Sequence, residues 1–371
     1  MGDADLYDYD LPRDLIAQEP LADRTAARLL VVRRGTGALG HHHVRDLPEL
    51  LRPGDLLVVN DTRVVPARLV GRRAATGGGW EGLFLRVEAD GPHAGAWVLL
   101  AQTRGRPACG ERVVLVGPDG ADAAALVLVG RAAGGAWLAV PDPVEPFAAV
   151  LARAGRVPLP GYIRGGAEQA GDRDRYQTVF AREPGSAAAP TAGLHFTTDL
   201  LDRLAARGVG RAAVTLHVGL DTFRPITGAR IDDHPMHTEW CVCPPETAAA
   251  VRETRARGGR VVAVGTTAVR TLETAARGGE IAAWTGPTDL FIRPGHTFRA
   301  VDAMLTNFHL PRTTLMVLVS TFAGRDLIGR AYAEAIRERY RFLSYGDAML
   351  LGLPDVPASP LPQGAGQPGG G

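Results

Sequence analysis

Residues 261–272, VVAVGTTAVRTL, place a short run of small and β-branched apolar residues before a glycine turn and the start of a helix. Residues 261–264 have the length and composition of a buried strand, and Thr266 or Thr267 can cap the helix that follows. This order of strand, turn and helix is typical of α/β domains. It predicts a mixed sheet covered by helices.

The same alternation extends outward from this unit in both directions. Further strands are predicted at 29–33, 55–59, 212–218 and 290–292. Further helices are predicted at 46–51, 198–207, 245–257 and 327–339. Residues 315–322 are apolar throughout, so the pattern allows a helix or a strand there.

Between these α/β segments lies a region with a different pattern. From residue 63 to 140, short β-rich runs are separated by Gly and Pro, at 64–70, 82–87, 96–100, 112–116, 125–129 and 136–140. Several short strands at regular spacing indicate a small barrel or sandwich, inserted into the α/β domain. The predicted organisation is therefore an α/β domain at 1–62 and 147–354, an all-β domain at 63–146 and a disordered Pro/Gly-rich tail at 355–371.

Composition places the chain among ordinary globular proteins, with 46% hydrophobic and 22% charged residues. No leader pattern and no bilayer-spanning apolar run is recognisable, so we expect no membrane association. Three Cys do not make a disulfide framework, which favours a reducing cytoplasm. All 41 Lys+Arg residues are Arg. A G+C-rich coding sequence accounts for this bias, although guanidinium groups also suit a phosphate-bearing partner.

Residues 175–196, RYQTVFAREPGSAAAPTAGLHF, have neither helical nor strand periodicity. A long polar loop retained in a compact domain usually carries a functional site. His195 closes this loop, and His217 follows a predicted strand at the end where ligand clefts of α/β sheets open. Each can serve as a general acid or base, or be a structural histidine.

Other polar groups have both a functional and a structural interpretation. The turn at 265–267 can bind an anion or be an ordinary strand-to-helix turn. Arg270 and Glu273, one helical turn apart, are interpreted as a surface pair. The segment 339–347 interleaves Arg with aromatic residues, which suits RNA bases or a packed helix end.

Two histidine-containing segments raise the question of a metal. His234, His237, Cys241 and Cys243 are residue types that bind zinc, but Cys-x-Cys is not the usual spacing. A strand at 240–242 that places both thiols on one face is the competing interpretation. The run 41–43, HHH, is interpreted as an exposed turn.

Taken in order, these segments resemble the S-adenosylmethionine:tRNA ribosyltransferase-isomerase family of queuosine biosynthesis. The matching blocks are YDYDLPRDLIAQEPLADRTAARLLVV, LRPGDLLVVNDTRVVPARL, RYQTVFAREPGSAAAPTAGLHFT, LHVGLDTFRPI, HPMHTEW, VGTTAVRTLE, TDLFIRPG, NFHLPRTTLMVLVSTFAG and YRFLSYGDAML. They are long, collinear and spread over residues 7–351.

The resemblance implies an α/β domain with an inserted β-barrel. It also implies that the ribosyl part of S-adenosylmethionine moves to 7-aminomethyl-7-deazaguanine at the tRNA wobble position and isomerises to give epoxyqueuosine, with release of adenine and methionine. S-adenosylmethionine would then be a consumed substrate, with no cofactor and no metal. The partner would be the tRNA anticodon arm, and we expect a cytoplasmic monomer.

This chemistry assigns roles to the candidate residues. His217 and His195 are the candidates for base and acid, in either order, and Glu239 or Tyr176 could lie beside the sulfonium. The turn at 265–267 could bind the methionine carboxylate, and Arg224 an RNA or substrate anion. The full set of predicted substrate-binding residues is Tyr176, Gln177, Thr191, Arg224, Gly265, Thr266, Thr267, Asn307, His309 and Tyr345.

Two departures from the family pattern keep alternatives open. Leu220, Asp221 and Thr222 replace part of a Gly-Ala-Gly-Thr-Phe-like segment, and residues 102–106, QTRGR, replace a Lys-Pro-Gly-Lys-like turn. A divergent paralogue that uses the same chemistry on another acceptor is therefore one alternative. A zinc-binding RNA module without catalysis, based on residues 234–243, is the other.

Overall fold

The computed structural model describes residues 3–219, 225–226, 228, 230–234, 236 and 238–354. Arg224, Asp221 with its neighbours Leu220 and Thr222, His237 and the predicted tail at 355–371 lie outside the described residues. Predictions about them are not taken further.

The secondary-structure elements follow in chain order. The strands are β1 (Arg28–Val32), β2 (Leu39–His43), β3 (Leu56–Asn60), β4 (Thr62–Val64), β5 (Arg68–Arg73), β6 (Gly79–Val87), β7 (Trp97–Thr103), β8 (Arg112–Val116), β9 (Asp122–Arg131), β10 (Trp137–Pro141), β11 (Gly155–Arg156), β12 (Glu183–Ser186), β13 (Gly210–Leu216), β14 (Glu239–Cys243), β15 (Val261–Val264), β16 (Trp284–Thr288), β17 (Ala303–Asn307) and β18 (Ala348–Leu351). The helices are α1 (Leu47–Leu50), α2 (Phe147–Ala154), α3 (Asp172–Arg175), α4 (Thr198–Ala206), α5 (Pro245–Ala256), α6 (Thr266–Ala275), α7 (Thr314–Ala323) and α8 (Arg325–Arg337). Short 3-10 turns lie at Asp3–Tyr7, Arg13–Leu15, Arg24–Ala26, Val44–Asp46, Ala133–Gly135, Arg164–Gly166, Thr191–His195 and Ile231–Asp233.

A mixed nine-stranded sheet forms the main body, in the order β16-β14-β13-β3-β15-β17-β18-β1-β2. Its centre consists of the parallel neighbours β13, β3, β15 and β17. Because parallel strands end at the same edge, the residues that follow these strands lie beside one another. The outer pairs, such as β14 with β16 and β1 with β2, are antiparallel.

Helices cover both faces of this sheet, and the side-chain alternation of β3 shows how. Val58 packs into a core with residues of α5 to α8, among them Val251, Val269 and Ile328. The neighbouring Val59 packs on the opposite face, against a core that includes Leu200 of α4. Continuous apolar runs such as residues 56–59 are needed because both faces are buried.

The second sheet is a small closed barrel. Strands β5 to β10 pair antiparallel in the order β5-β6-β7-β10-β9-β8, and pairing of β5 with β8 closes it. Trp80 and Trp97 fill its interior, and α2 packs against the same core through Val150 and Leu151. A Cβ at Gly82 would lie only 2.2 Å from the Trp80 ring, so the packing requires glycine there.

The predicted fold class is confirmed, and each of the six β-rich runs overlaps a barrel strand. The exact domain boundaries stay predictions. Three local predictions were wrong or incomplete. Residues 41–43 belong to β2, where they pair with β1, rather than to an exposed turn. Residues 290–292 form no strand, and 315–322 form the helix α7. None of the helices given above is both long and apolar enough to span a bilayer.

Candidate active site

Polar side chains gather where the central parallel strands end. Asn60 ends β3, His217 directly follows β13, Gly265 directly follows β15, and Asn307 ends β17. Asn60 joins two of these ends, because its Nδ2 donates to the carbonyl of Leu216 at 3.0 Å and to Oγ1 of Thr267 at 3.1 Å. The strands therefore present one shared polar edge.

The loop at 175–196 lies over this edge and is fixed to it. The Ser186 hydroxyl donates to the carbonyl of Ala188 at 2.7 Å and accepts the amide N–H of Val218 at 2.9 Å. The Thr191 hydroxyl donates to Oδ1 of Asn307 at 2.9 Å. The sequence predicts a functional loop here, and the structure attaches it to the ends of β13 and β17.

Thr62 holds the His217 ring through one nitrogen. Nδ1 of His217 lies 2.8 Å from Oγ1 of Thr62, and either atom can be the donor, depending on the tautomer. The Thr62 hydroxyl also lies 3.5 Å from the carbonyl of Glu183, which is too long for a strong hydrogen bond. Nε2 of His217 has no hydrogen-bond partner among the described residues.

The surroundings of His217 favour its neutral form. Burial lowers the pKa of His217 below the usual 6.5, while the nearby carboxylates of Asp61 and Glu183 partly oppose that effect. Burial also raises the pKa of Asp61, whose carboxylate accepts the Thr215 hydroxyl at 2.7 Å. At neutral pH, His217 is thus an unprotonated imidazole, as a general base must be.

His195 lies deeper than His217. Its Nε2 is 3.3 Å from Nδ2 of Asn307, which also donates to the carbonyl of Leu343 at 3.1 Å. Burial, with Arg24 and Arg341 nearby, lowers the pKa of His195 to about 4. It is therefore neutral at pH 7 and contacts Asn307, so its position favours orienting that amide over donating a proton as an imidazolium.

A cavity opens between the loop and the polar edge. Most of the residues predicted to bind substrate line it, namely Thr191, Gly265, Thr266, Thr267, Asn307 and His309. Burial lowers the pKa of His309 to about 3, so its imidazole is neutral. Its Nε2 lies 3.0 Å from the Thr306 hydroxyl. A neutral imidazole, an amide and hydroxyl groups suit an uncharged polar ligand such as a nucleoside.

Glu239 lies at a second cavity, which shares Leu315 with the first. Its carboxylate is buried, pairs with Nη1 of Arg270 and accepts the amide N–H of Gly219 at 3.1 Å. The interpretation of Arg270 and Glu273 as a surface pair is wrong, because both are buried on α6. Glu273 instead accepts the backbone N–H groups of residues 299–301.

Three predicted binding residues lie away from the two cavities described above. Oε1 of Gln177 accepts the N–H of Val64 at 3.0 Å, and Nε2 donates to the carbonyl of Val64 at 3.2 Å. Tyr176 is buried and packs edge-on against Tyr345, whose hydroxyl donates to Asp172 at 3.3 Å. Tyr176 and Gln177 instead line a third cavity, beside α2.

The cysteines do not form a zinc site with the residues described. Cys241 and Cys243 are both buried on β14, which agrees with the interpretation that a strand places both thiols on one face. Burial raises the pKa of Cys241 to about 11 and that of Cys243 to about 12, which disfavours thiolates. Within the described part of the chain, no group of three or more His, Cys, Asp or Glu could hold a metal ion.

Sequence reasoning did not single out Asn60 or Thr62, and it interpreted Arg270 only as part of a surface pair. A signal for the first two exists in residues 56–62, LLVVNDT, where polar side chains directly follow a fully apolar run. For Arg270, the signal is weaker. Every residue of α6 is buried, and an arginine in such a helix must be paired or bind a ligand.

The fold and the edge define the class of protein, an α/β enzyme with an inserted barrel and a cleft at the carboxyl ends of its strands. The chain belongs to the queuosine biosynthesis protein family, whose model matches residues 4–351.

Proteins of known name support this assignment along nearly the whole chain. An S-adenosylmethionine:tRNA ribosyltransferase-isomerase from Geobacter sulfurreducens is 53% identical, over 93% of this chain and 98% of its own. One from Anaeromyxobacter dehalogenans is 54% identical over the same shares. The crystal structure of S-adenosylmethionine tRNA ribosyltransferase from Thermotoga maritima is 38% identical, covers 93% of this chain and 99% of that one, and gives a TM-score of 0.53.

Proposed function

We propose that this chain transfers the ribosyl part of S-adenosylmethionine to 7-aminomethyl-7-deazaguanine at the tRNA wobble position and isomerises it, giving epoxyqueuosine. Adenine and methionine are the other products. The observation that carries the proposal is the full-length similarity to relatives named for this activity. The polar cleft at the edge of the sheet is where the chemistry would take place.

His217 is the proposed base of the reaction. The carbon beside the sulfonium must lose a proton, and the adjacent positive charge makes that proton acidic. His217 is neutral at pH 7 and is held through Nδ1 by Thr62, while Nε2 has no hydrogen-bond partner among the described residues. These are the properties that a general base needs near neutral pH.

The other groups of the edge take binding roles. His309, Asn307 and Thr191 line the first cavity with uncharged donors and acceptors, which suits the nucleoside and the departing adenine. His195 orients Asn307 from behind. We therefore assign His195 a positioning role and leave the acid that assists adenine to a bound group or water.

S-adenosylmethionine is a substrate in this proposal, with no separate cofactor. The partner is the anticodon arm of a tRNA that carries the aminomethyl precursor. Cytoplasmic location and a monomeric state belong to the same proposal.

Two alternative functions are less well supported. A paralogue with another acceptor rests on residues 220–222, which lie outside the described residues, and on Gln102 and Thr103, which end β7. A zinc-binding RNA module would need accessible thiolates, whereas Cys241 and Cys243 are buried with raised pKa values.

Mass spectrometry of the reaction products tests the proposal. The protein is incubated with S-adenosylmethionine and tRNA bearing the aminomethyl precursor, with tRNA bearing guanine at the same position as the control. Epoxyqueuosine together with free adenine, from the first tRNA only, is the expected result. Binding of both substrates without that nucleoside would favour the paralogue.

A further inference from the structure

Arg270 has an unusual environment for a charged residue. It lies in the middle of α6, whose residues are all buried, and only 4% of it is exposed. It also lines the cavity beside Glu239. A buried guanidinium is stable only when its N–H groups are paired, so each of its nitrogens must be accounted for.

Two of the three nitrogens have partners. Nε of Arg270 donates to the carbonyl of Leu290 at 3.2 Å, and Nη1 pairs with Oε2 of Glu239. The remaining nitrogen, Nη2, is fully buried and has no hydrogen-bond partner within the described part of the chain. Leaving such a donor unpaired is costly, and the cost is removed when an anion binds.

Glu239 makes the site suitable for a ligand that carries one negative and one positive group. Its Oε1 accepts the amide N–H of Gly219 and its Oε2 pairs with Arg270, so the carboxylate is held in place on the same wall. A guanidinium and a carboxylate side by side complement the carboxylate and ammonium groups of an α-amino acid.

The rest of the lining suits an apolar chain of methylenes and sulfur. The cavity is otherwise bounded mainly by Met236, Leu290, Phe291, Ile292, Leu315 and Leu318. Leu315 also lines the cavity at the polar edge. The two cavities are therefore neighbours, one with a charged end and the other with uncharged polar groups.

The turn at 265–267 is a weaker candidate for the same carboxylate. The N–H of Gly265 already donates to the carbonyl of Leu305 at 2.7 Å. The Thr267 hydroxyl accepts from Asn60 at 3.1 Å and can still donate its own hydrogen, but it carries no charge. Arg270 offers a charged donor that is still unpaired, and charge-assisted hydrogen bonds are the stronger kind.

We infer that Arg270 binds the carboxylate of the methionyl part of S-adenosylmethionine, in the cavity between α6, α7 and residues 290–292. Glu239 faces the ammonium group of the same ligand. The inference rests on the proposed function and specifies where one end of the substrate lies. The nucleoside then occupies the neighbouring cavity, with the sulfonium near Leu315.

Calorimetric binding without tRNA tests this assignment, with S-adenosylmethionine and its decarboxylated analogue as the two ligands. The wild-type protein should bind the decarboxylated form about tenfold more weakly or worse. In Arg270→Gln the two ligands should bind with nearly equal affinity, because the group that distinguishes them is gone. Arg277→Gln, which removes an exposed ion pair with Asp289 just beyond α6, should keep the wild-type ratio.

The result remains decisive if Arg270→Gln does not fold. Arg270→Lys, which keeps a positive charge beside Glu239, should also shrink the ratio. If neither variant folds, equal wild-type affinities for the two ligands would still overturn the inference. Equal wild-type affinities for the two ligands, or a ratio unchanged in a folded variant, would overturn the inference. If a folded Arg270 variant binds S-adenosylmethionine tightly, turns over normally and keeps the wild-type ratio of affinities, the inference is overturned but the proposed function stands. If the wild-type protein does not bind S-adenosylmethionine at all, both are overturned.

Discussion

Nδ1 of His217 and Oγ1 of Thr62 lie 2.8 Å apart and connect the ends of two neighbouring parallel strands. This contact holds the imidazole in one orientation, while Nε2 has no hydrogen-bond partner among the described residues. That unpartnered Nε2 is the basis of the catalytic role proposed for His217.

Replacement of His217 should lower turnover without preventing substrate binding. His217→Asn is expected to reduce the single-turnover rate by about 100-fold to 10,000-fold, the usual contribution of a general base. Thr62→Val should have a smaller effect in the same direction, since it removes only the orienting contact. Rapid-quench measurements give the rate and calorimetry the affinity for S-adenosylmethionine. A His217→Asn enzyme with near-normal rates would rule out this base.

The pH dependence of the reaction should reflect the lowered pKa of His217. The neutral imidazole is the active form, so the rate should rise with pH through a value below 6.5 and then level off. Single-turnover rates between pH 5 and 8 measure this rise in rate. A rise whose midpoint lies clearly above pH 6.5 would contradict the assignment of His217 as the base.

Gly185 leaves room for the imidazole of His217, the proposed base. A Cβ there would lie 3.0 Å from the His217 ring, and the backbone has a φ of +146°. Gly185→Ala should therefore displace the ring and lower turnover by about tenfold to a hundredfold. Gly278→Ala, at a position where a Cβ meets nothing within 4 Å, is the matched control. Equal turnover in the two variants would show that the contact is unimportant.

The strand and barrel organisation could be predicted from the sequence because buried strands need apolar runs, and Gly and Pro between the runs mark the turns. Residues 261–264 and the six β-rich runs are such cases. The polar edge could be predicted in part, since His217 lies at the end of one predicted strand and Gly265 directly follows another. Thr62 and Arg270 could not be assigned, because their roles depend on partners far away in the chain, Glu183 and Glu239. The error for residues 41–43 has a similar cause, since the pairing of β2 with β1 is tertiary.

Stability should fall as the solution becomes acidic. The pKa of His195 is about 4 and that of His309 about 3 in the folded protein, against 6.5 when unfolded. Below pH 6.5 the unfolded chain takes up protons that the folded chain does not, so unfolding is favoured. The slope should approach about 1.4 kcal/mol per pH unit for each histidine between pH 6 and 4.5.

Urea unfolding at several pH values measures this slope. His309→Gln should reduce it, whereas His93→Gln, at an exposed position outside the sheet core, should leave it unchanged. A free energy of unfolding that stays flat from pH 7 to 5 would contradict the burial of neutral histidines.

Thiol reactivity checks the competing zinc site. Only Cys109 is exposed, so a thiol reagent should modify one cysteine quickly in the folded protein and the other two after unfolding. Purified protein should also contain less than about a tenth of an equivalent of zinc. Stoichiometric zinc, with protection of Cys241 and Cys243 that a chelator removes, would support the metal-binding alternative.

The central claim is that this chain moves the ribosyl group of S-adenosylmethionine onto tRNA, and isotope tracing tests it most directly. S-adenosylmethionine labelled with carbon-13 in the ribosyl group alone is incubated with the protein and the precursor tRNA. The tRNA is then digested to nucleosides, and their masses are measured by mass spectrometry. We predict that the carbon-13 label enters the wobble nucleoside, while the released adenine and methionine are unlabelled. Label that stays in the small-molecule fraction while the tRNA is unchanged would contradict the account.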